Sequence, residues 1–276
     1  MIIDSHQHFW HFDPVRDSWI TDEMQAIRRD FLPEDLLPVY RQNGIDGCVA
    51  VQADQSEEET HFLLDLAETH DFIKGVVGWI DLLAPDVEER LAYFSKYKKL
   101  KGFRHIVQLE PDGFMLQEAF LHGIGKLEKF GYTYDIVIYP HQLDDAISLV
   151  KRFPNQKFIL DHLGKPYIRR GILYPWDEKI HALGRFDNLY CKLSGIVTEA
   201  DHVNWKEEDV KPYLDVIFDA FGSYRLLFGS DWPVCLLAAD YSRVKALVRN
   251  YLRDRAFAQE SEVWYQNAID VYNLEI

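Results

Sequence analysis

Residues 2–10 read Ile2-Ile3-Asp4-Ser5-His6-Gln7-His8-Phe9-Trp10, and this stretch distinguishes between two α/β folds. It opens on two β-branched residues and predicts a first strand over Ile2–His8. In the competing fold, a doubly wound open sheet, a glycine-rich turn normally follows the first strand. Here the strand runs directly into histidine and aromatic residues, with no glycine. The stretch therefore favours a barrel and places two histidines at the end of its first strand.

Seven further strand candidates alternate with helical segments along the chain. Runs such as Ile136-Val137-Ile138 are apolar on both faces, which is typical of parallel strands covered by helices. The seven candidates are Gly47–Gln52, Ile73–Ile80, Lys101–Val107, Thr133–Tyr139, Lys157–His162, Leu189–Leu193 and Arg225–Gly229. Eight such units over roughly 250 residues have the size and rhythm of a TIM barrel. Because no linker or low-complexity tract divides the chain, we predict one α/β domain over residues 1–276, a (β/α)₈ TIM barrel.

Sequence patterns at the N-termini of the helical segments predict where these helices begin. Ser56-Glu57-Glu58-Glu59 has the pattern of a capping box and opens a helix to about residue 70. Pro85-Asp86-Val87-Glu88-Glu89 opens another, with proline in the first turn and acids at the positive end of the helix dipole. Further helices are predicted over Pro33–Gln42, Leu116–Lys129, Leu143–Phe153, Trp176–Arg185, Glu207–Phe221, Ser242–Leu252 and Glu260–Tyr272.

Composition narrows the class of partner. The chain has 30 Lys and Arg against 45 Asp and Glu, a formal net charge of −15, which argues against nucleic acid or an anionic membrane as the main partner. No run of apolar residues is long enough to cross a membrane, and the N-terminus lacks the pattern of a signal peptide. We therefore expect a cytoplasmic protein that acts on a small molecule. The three cysteines, Cys48, Cys191 and Cys235, show no CxxC spacing and are expected to be reduced.

Titratable residues stand at nearly every predicted strand end. In a TIM barrel the active site lies at the carboxyl ends of the strands, so these side chains are predicted to converge. They are His6 and His8 after strand one, Arg104 and His105 after strand four, Tyr139 and His141 after strand five, Asp161 and His162 after strand six, Lys192 after strand seven, and Ser230 and Asp231 after strand eight.

Four of these residues have the chemistry of a metal site. His6 and His8 are two residues apart, so on a strand both imidazoles point to one face. An isolated pair of this kind more often caps a strand, but a strand end in a barrel favours a functional role. Asp231 follows a buried strand, where a carboxylate is costly unless it is paired or bound to a metal. The set His6, His8, His162 and Asp231 offers three nitrogens and one carboxylate, enough for one zinc-like ion with a position open for water.

Four segments together resemble a known family. They are the opening Ile3–Trp10, Lys101-Gly102-Phe103-Arg104-His105, Leu160-Asp161-His162-Leu163-Gly164-Lys165-Pro166 and Phe228-Gly229-Ser230-Asp231-Trp232-Pro233. In this order they resemble the amidohydrolase superfamily, in particular its branch of sugar-lactone and dicarboxylate-lactone hydrolases, which includes L-fuconolactonase, L-rhamnonolactonase and pyrone-dicarboxylate lactonase. The likeness covers nearly the whole chain.

The resemblance implies a TIM barrel of the metal-dependent hydrolase type that opens a lactone ring, most simply a sugar lactone. It also exposes a departure from the dinuclear members of the superfamily, because Arg104 stands where the bridging lysine would be. We therefore expect one divalent ion, zinc first, or a metal-free site, and both stay open. A metal-dependent decarboxylase of the same superfamily is the alternative function, and a non-catalytic binder is a third hypothesis.

The mechanism predicted from these residues gives Asp231 the role of general base for the attacking water. The histidines either hold the metal or donate directly to the oxyanion. Arg104, His105 and Lys192 are candidates for binding a carboxylate or hydroxyls and for stabilising the charge on the tetrahedral intermediate, with a structural ion pair as the other possible role of Lys192. The candidate pocket walls, suited to a sugar ring, are Trp10, Trp79, Gln108, Tyr139, His141 and Trp232. Both a monomer and a homodimer are compatible with the sequence.

Overall fold

Eight parallel strands form one sheet in the order of the sequence, β1 to β8. A computed structural model describes residues 1–255 and 259–276. The strands are β1 (Ile3–Gln7), β2 (Gly47–Val51), β3 (Ile73–Gly78), β4 (Leu100–His105), β5 (Thr133–Ile136), β6 (Phe158–Leu160), β7 (Leu189–Leu193) and β8 (Leu226–Phe228). A parallel bridge between Gln7 and Trp232 brings the last strand back to the first. This nearly closed barrel confirms the predicted (β/α)₈ fold.

Helices connect the strands and cover the outside of the barrel. They are α1 (Pro33–Asn43), α2 (Glu57–Thr69), α3 (Val87–Phe94), α4 (Glu118–Phe130), α5 (Leu143–Arg152), α6 (Trp176–Leu183), α7 (Glu207–Phe221), α8 (Tyr241–Asp254) and α9 (Asn267–Tyr272). Within the described ranges, no helix combines the length and apolarity needed to cross a membrane.

The start of α2 differs from the predicted capping box. Ser56 does cap the helix, since its hydroxyl accepts a hydrogen bond from the Glu59 amide at 3.2 Å. The Glu59 carboxylate does not return to Ser56 and instead accepts from the amide of Ala53 at 2.5 Å. Because Glu59 is buried, its carboxylate satisfies the backbone of the loop after β2 and ties that loop to α2.

The first strand contains a one-residue bulge. Asp4 pairs with Cys48 but Gln7 pairs with Ala50, so β1 has one more residue than β2 between these pairs. By strict alternation Asp4 and His6 would share a face of the strand. With the bulge, Asp4 accepts from the hydroxyls of Tyr40 in α1 and Tyr241 in α8, each at 3.0 Å, whereas His6 faces the barrel interior.

Most strands end one to three residues earlier than predicted. The predicted strand Thr133–Tyr139 stops at Ile136, and Lys157–His162 stops at Leu160. After β6 the chain turns through left-handed backbone conformations, with φ of 55° at His162 and 50° at Lys165. Residues other than glycine rarely adopt this backbone conformation. The sequence pattern marks where the apolar run ends, but it does not reveal that the chain bends there.

The barrel is closed at its amino-terminal end by α9. Ala268, Val271 and Tyr272 pack on an apolar layer of strand side chains that includes Ile3, Val49, Val51, Val77, Ile159 and Leu227. The polar residues of the interior therefore lie above this layer, toward the carboxyl ends of the strands.

Candidate active site

His6, His8 and Asp231 converge at the carboxyl end of the barrel. The Nε2 atoms of the two histidines are 3.2 Å apart, and the Asp231 Oδ1 atom lies 3.4 Å from His8 Nε2 and 3.8 Å from His6 Nε2. In a tetrahedral zinc site with bonds of roughly 2.0–2.1 Å, neighbouring ligand atoms are about 3.3 Å apart. The three atoms therefore fit one face of such a tetrahedron and leave its fourth corner for water.

The orientation of His8 is fixed by its second nitrogen. Its Nδ1–H donates to the carbonyl of Val51 at 2.7 Å, so the Nε2 lone pair points into the site. In metal sites, a ligating histidine usually donates a hydrogen bond of this kind from its second ring nitrogen, which fixes the orientation of the ring.

Asp231 is held by its backbone. Its φ is 58°, and its amide donates to the carbonyl of His6 at 2.8 Å. Burial would raise the pKa of the Asp231 carboxyl, but the adjacent side chains of His162 and His8 outweigh burial and hold the pKa below its ordinary range. Asp231 is therefore a carboxylate at neutral pH and can accept a proton.

His162 approaches His6 from the end of β6. The ring centroids are 4.5 Å apart, and His162 Nδ1 lies 2.9 Å from the Ser194 hydroxyl. Burial lowers the pKa of His162 to about 4 and that of His6 well below 6.5, so both rings are neutral at pH 7. Among the described residues two groups of donors lie close enough to share an ion: His6 with His8 and Asp231, and His6 with Asp161 and His162. The predicted four-donor set is thus divided, with His6 common to both groups.

Below these histidines, buried charges form a continuous chain of contacts. Arg104 Nη1 lies 3.0 Å from Asp161 Oδ2, and Lys192 Nζ lies 3.0 Å from Asp161 Oδ1 and 2.5 Å from Asp135 Oδ2. The hydroxyl of Tyr272, from α9, donates to the same Asp135 oxygen at 2.7 Å. We call Arg104, Asp161, Lys192, Asp135 and Tyr272 the ion ladder.

The pKa values of the two carboxyls in the ion ladder are shifted in opposite directions. Burial raises the pKa of Asp135 to about 6, despite the adjacent Lys192. Burial also acts on Asp161, but Lys192 and His6 outweigh it and hold the pKa of Asp161 well below its ordinary value. Asp161 is thus a permanent anion at the centre of the ladder.

A cavity of about 280 Å³ opens above the site. Its walls are largely apolar: His8, Trp10, Trp19, Met24, Ala53, Arg104, Ile106, Gln108, Leu109, Val137, Tyr139 and Val234 line it. The Gln108 Oε1 atom is buried and has no hydrogen-bond partner among the described residues. A hydroxyl of a bound molecule can satisfy this acceptor if the Gln108 side chain turns toward the cavity that it lines.

The predicted pocket residues divide into two groups. Trp10, Gln108 and Tyr139 line the cavity. The remaining predicted residues do not line it: Trp79 donates from Nε1 to His105 Nδ1 at 3.3 Å, His105 Nε2 donates to Glu110 at 2.9 Å, Trp232 is buried against Phe9 and Phe31, and His141 lies 3.4 Å from the exposed Asp112. Their roles at the site remain predictions.

Sequence reasoning did not select Asp135, Ser194 or Trp19. Asp135 interrupts an apolar strand, and a carboxylate in that setting needs a cation. That signal could have paired it with Lys192, which the structure places beneath His6 with no exposed surface. Ser194 and Trp19 carry no such signal, because their positions depend on the loops.

Comparison with known proteins gives the family. A sequence model of the amidohydrolase family matches residues 3–274. The chain is 39% identical to an L-fucono-1,5-lactonase of Burkholderia multivorans, over 99% of this chain and 96% of the relative. A crystal structure of an amidohydrolase from Burkholderia multivorans with bound zinc superposes with a TM-score of 0.96, at 39% identity and 100% coverage of both chains. A 2,6-dihydroxybenzoate decarboxylase from Rhizobium is similar in fold alone, with a TM-score of 0.71 at 13% identity over 99% of this chain and 98% of that one.

Proposed function

The chain belongs to the amidohydrolase family, and we propose that it is a sugar-lactone hydrolase with L-fucono-1,5-lactone as its first candidate substrate. The observation that carries the proposal is the buried carboxylate of Asp231, which lies beside His6 and His8 and below a cavity of small-molecule size. The similarity to the L-fucono-1,5-lactonase supports the choice of substrate.

The cavity suits a deoxysugar lactone. Trp10, Ile106, Val137 and other apolar side chains can cover the ring face and the methyl group of such a sugar. The Gln108 side chain, whose Oε1 atom has no partner among the described residues, can turn and accept a hydrogen bond from one ring hydroxyl. A hydroxyl in place of the methyl group would lose its water without gaining a partner on these apolar walls.

In the proposed reaction, Asp231 accepts a proton from a water molecule as that water attacks the lactone carbonyl. The guanidinium of Arg104, which lines the cavity, stabilises the negative charge that develops on the carbonyl oxygen. The bond between the carbonyl carbon and the ring oxygen then breaks, and Asp231 returns its proton to the departing oxygen. The product is a hydroxy acid, which ionises and releases one proton at neutral pH.

We also propose that His6, His8 and Asp231 hold a single zinc ion, in keeping with the spacing of their ligand atoms. A bound divalent ion would polarise the carbonyl and lower the pKa of the attacking water. Action in carbohydrate metabolism is a further proposal, which rests on the substrate of the L-fucono-1,5-lactonase relative. A cytoplasmic location, and assembly as a monomer or homodimer, stay proposals.

A panel of lactones tests the function. Purified enzyme is mixed in weak buffer with a pH indicator and with fucono-, rhamnono-, galactono- or dicarboxylate-lactones, each against an enzyme-free blank because 1,5-lactones open spontaneously. We expect acid release well above the blank with L-fucono-1,5-lactone and weaker release with the galactono-lactone, which carries the extra hydroxyl. Carbon dioxide is measured in parallel with aromatic acids. Carbon dioxide release without lactone opening would replace the proposal with a decarboxylase.

A further inference from the structure

Two charged side chains that the mechanism does not use stand at the carboxyl end of the barrel. Lys165 follows β6 and Glu199 lies in the loop after β7, with 3.7 Å between Lys165 Nζ and Glu199 Oε1. This distance is longer than a hydrogen bond, and neither side chain makes a hydrogen bond to another described residue. The two side chains are only 17% and 23% exposed, so both charges have lost much of their water without gaining a full set of partners. We call Lys165 and Glu199 the rim pair.

The backbone holds both members of the rim pair in place. Lys165 has a φ of 50° and a ψ of 60°, and its amide donates to the His162 carbonyl at 2.8 Å. The Glu199 carbonyl accepts from the amide of Arg169 at 2.9 Å, which ties the loop after β7 to the loop after β6. Residues other than glycine persist in the left-handed region only where the surrounding structure enforces it, and they cluster at sites that bind ligands.

The rim pair borders the candidate active site. Lys165 Nζ lies 5.5 Å from the centre of the Tyr139 ring, and Tyr139 lines the cavity. Burial raises the pKa of the Glu199 carboxyl against the opposing charge of Lys165, and the charge of Asp231 adds to the rise. Glu199 and Asp231 are therefore close enough to interact. The pair thus lies beside a wall of the cavity and near the proposed general base.

The chemistry of the rim pair complements what the cavity walls lack. Each hydroxyl of a sugar lactone is both a donor and an acceptor, and the largely apolar walls offer few partners. The Lys165 ammonium has only donors and the ionised Glu199 carboxylate only acceptors, so together they can satisfy two neighbouring hydroxyls. The pair has no net charge, so it gives no excess attraction for a substrate that carries carboxylates.

We propose that the rim pair is a substrate subsite that binds two neighbouring hydroxyls of a neutral polyhydroxylated lactone. Lys165 donates to one hydroxyl, and Glu199 accepts from the other. The pair determines which lactone binds and takes no part in activating water. The inference rests on the proposed lactone hydrolysis and adds to it the class of lactone.

The variant that tests the subsite is Lys165→Met combined with Glu199→Gln, which removes both charges and leaves neither ion unpaired. Glu199→Ala is a second variant, which removes only the acceptor and leaves a partly exposed lysine that can turn toward water. The matched control is Lys179→Met combined with Asp144→Asn. Lys179 donates to Asp144 between the outer helices α6 and α5, so this control removes an ion pair that does not border the cavity.

Binding is measured by calorimetry with a lactam that has the ring substituents of L-fucono-1,5-lactone. An N–H group replaces the ring oxygen, so this probe does not open during the measurement. We expect the double variant to bind it roughly 10–100-fold more weakly than the wild type, the scale of hydrogen bonds to charged groups. Glu199→Ala should lose part of this affinity and the control none. No measurable binding by the wild type, or equal affinity in the wild type and both variants, would overturn the proposal.

Steady-state kinetics with L-fucono-1,5-lactone separate binding from chemistry. We expect KM to rise roughly 10–100-fold in the double variant at nearly unchanged kcat, because the same contacts are made before and during the reaction. A fall in kcat at unchanged KM would show that the pair acts on the reaction, and the subsite would be rejected. If the wild type opens no lactone, the proposed function fails, and the lactam titration still decides whether the subsite exists.

Discussion

At the scale of single residues, Asp231 is held in a backbone conformation that it would not adopt by preference. Its φ of 58° is typical of glycine, and the hydrogen bond from its amide to the His6 carbonyl maintains it. This conformation turns the carboxylate toward His8 instead of along β8. Strain of this kind persists only where the surrounding structure enforces it, here through the contact that brings the last strand to the first.

Asp231→Asn should abolish most of the activity without unfolding the protein. The amide keeps the shape of the side chain but cannot accept the proton of water, so we expect turnover of the best lactone to fall by roughly 10²–10⁴. Asp112→Asn, which changes an exposed carboxylate near the rim, is the matched control and should leave turnover unchanged. Equal turnover in Asp231→Asn and the wild type would remove Asp231 from the reaction.

The residues that could be predicted from the sequence are those governed by strand ends. His6, His8 and Asp231 were placed together because carboxyl ends of parallel strands meet at one end of a barrel. The separate orientations of Asp4 and His6 could not be predicted, since they depend on a bulge that alternation does not contain. Lys192 was placed in the site, but whether its ammonium faced substrate or a buried carboxylate depended on partners from other strands.

At the scale of elements, the loop after β7 supports the turn after β6. Gly195 has a φ of 62°, and a Cβ atom at this position would lie 2.6 Å from the Nδ1 atom of His162. The absence of a side chain at Gly195 therefore leaves room for the His162 ring. The sequence shows a glycine after β7 but does not show which ring it accommodates.

Gly195→Ala should therefore displace His162. Gly171→Ala is a matched control, because Gly171 has a φ of 64° and nothing lies within 4 Å of the added atom. Both variants should lose about 1 kcal/mol of unfolding free energy from backbone strain. Only Gly195→Ala should lose turnover, by about 10²-fold if the ring moves by an ångström. Similar turnover losses in both variants would show that strain, not the position of His162, is responsible.

The first turn of α2 should make stability depend on pH. Burial raises the pKa of Glu59 to about 7, because it outweighs the opposing hydrogen bonds from the amides of Ala53 and Asp54. A carboxyl with a raised folded pKa contributes stability below its unfolded pKa near 4.5, and this contribution is lost as pH rises through 7.

Glu59→Gln keeps the neutral form at every pH. We compare the free energy of unfolding of Glu59→Gln with that of the wild type by urea unfolding at pH 5 and pH 8. The difference, variant minus wild type, should be about 2 kcal/mol larger at pH 8 than at pH 5, because only the wild type loses stability over this range. Glu58→Gln, at the exposed neighbouring position, should show no such change. A difference that is the same at both pH values would mean that Glu59 titrates normally.

At the scale of the whole molecule, the barrel was predictable from the sequence, but the contacts that close it were not. Eight apolar runs that alternate with helical segments indicate eight parallel strands. Parallel strands are buried on both faces, and the helices that connect them cover the sheet. Closure instead depends on contacts far apart in sequence, such as the pairing of Gln7 with Trp232. The position of α9 beneath the barrel likewise depends on packing between residues that are far apart in sequence.

Tyr272 connects that cover to the site. Its hydroxyl donates to Asp135, the lowest carboxylate of the ion ladder, so α9 is tied to the barrel by a buried polar contact as well as by apolar packing. Tyr272→Phe removes only this hydrogen bond, and a bond to a charged group contributes about 1.5–3 kcal/mol. We expect urea unfolding to show a loss of that size. The matched control is Tyr190→Phe, since the Tyr190 hydroxyl, beside the same apolar layer, donates to none of the described residues. Turnover should be unchanged in both variants, because Lys192 keeps both of its carboxylates. A fall in turnover at unchanged stability would instead show that α9 controls the position of Lys192.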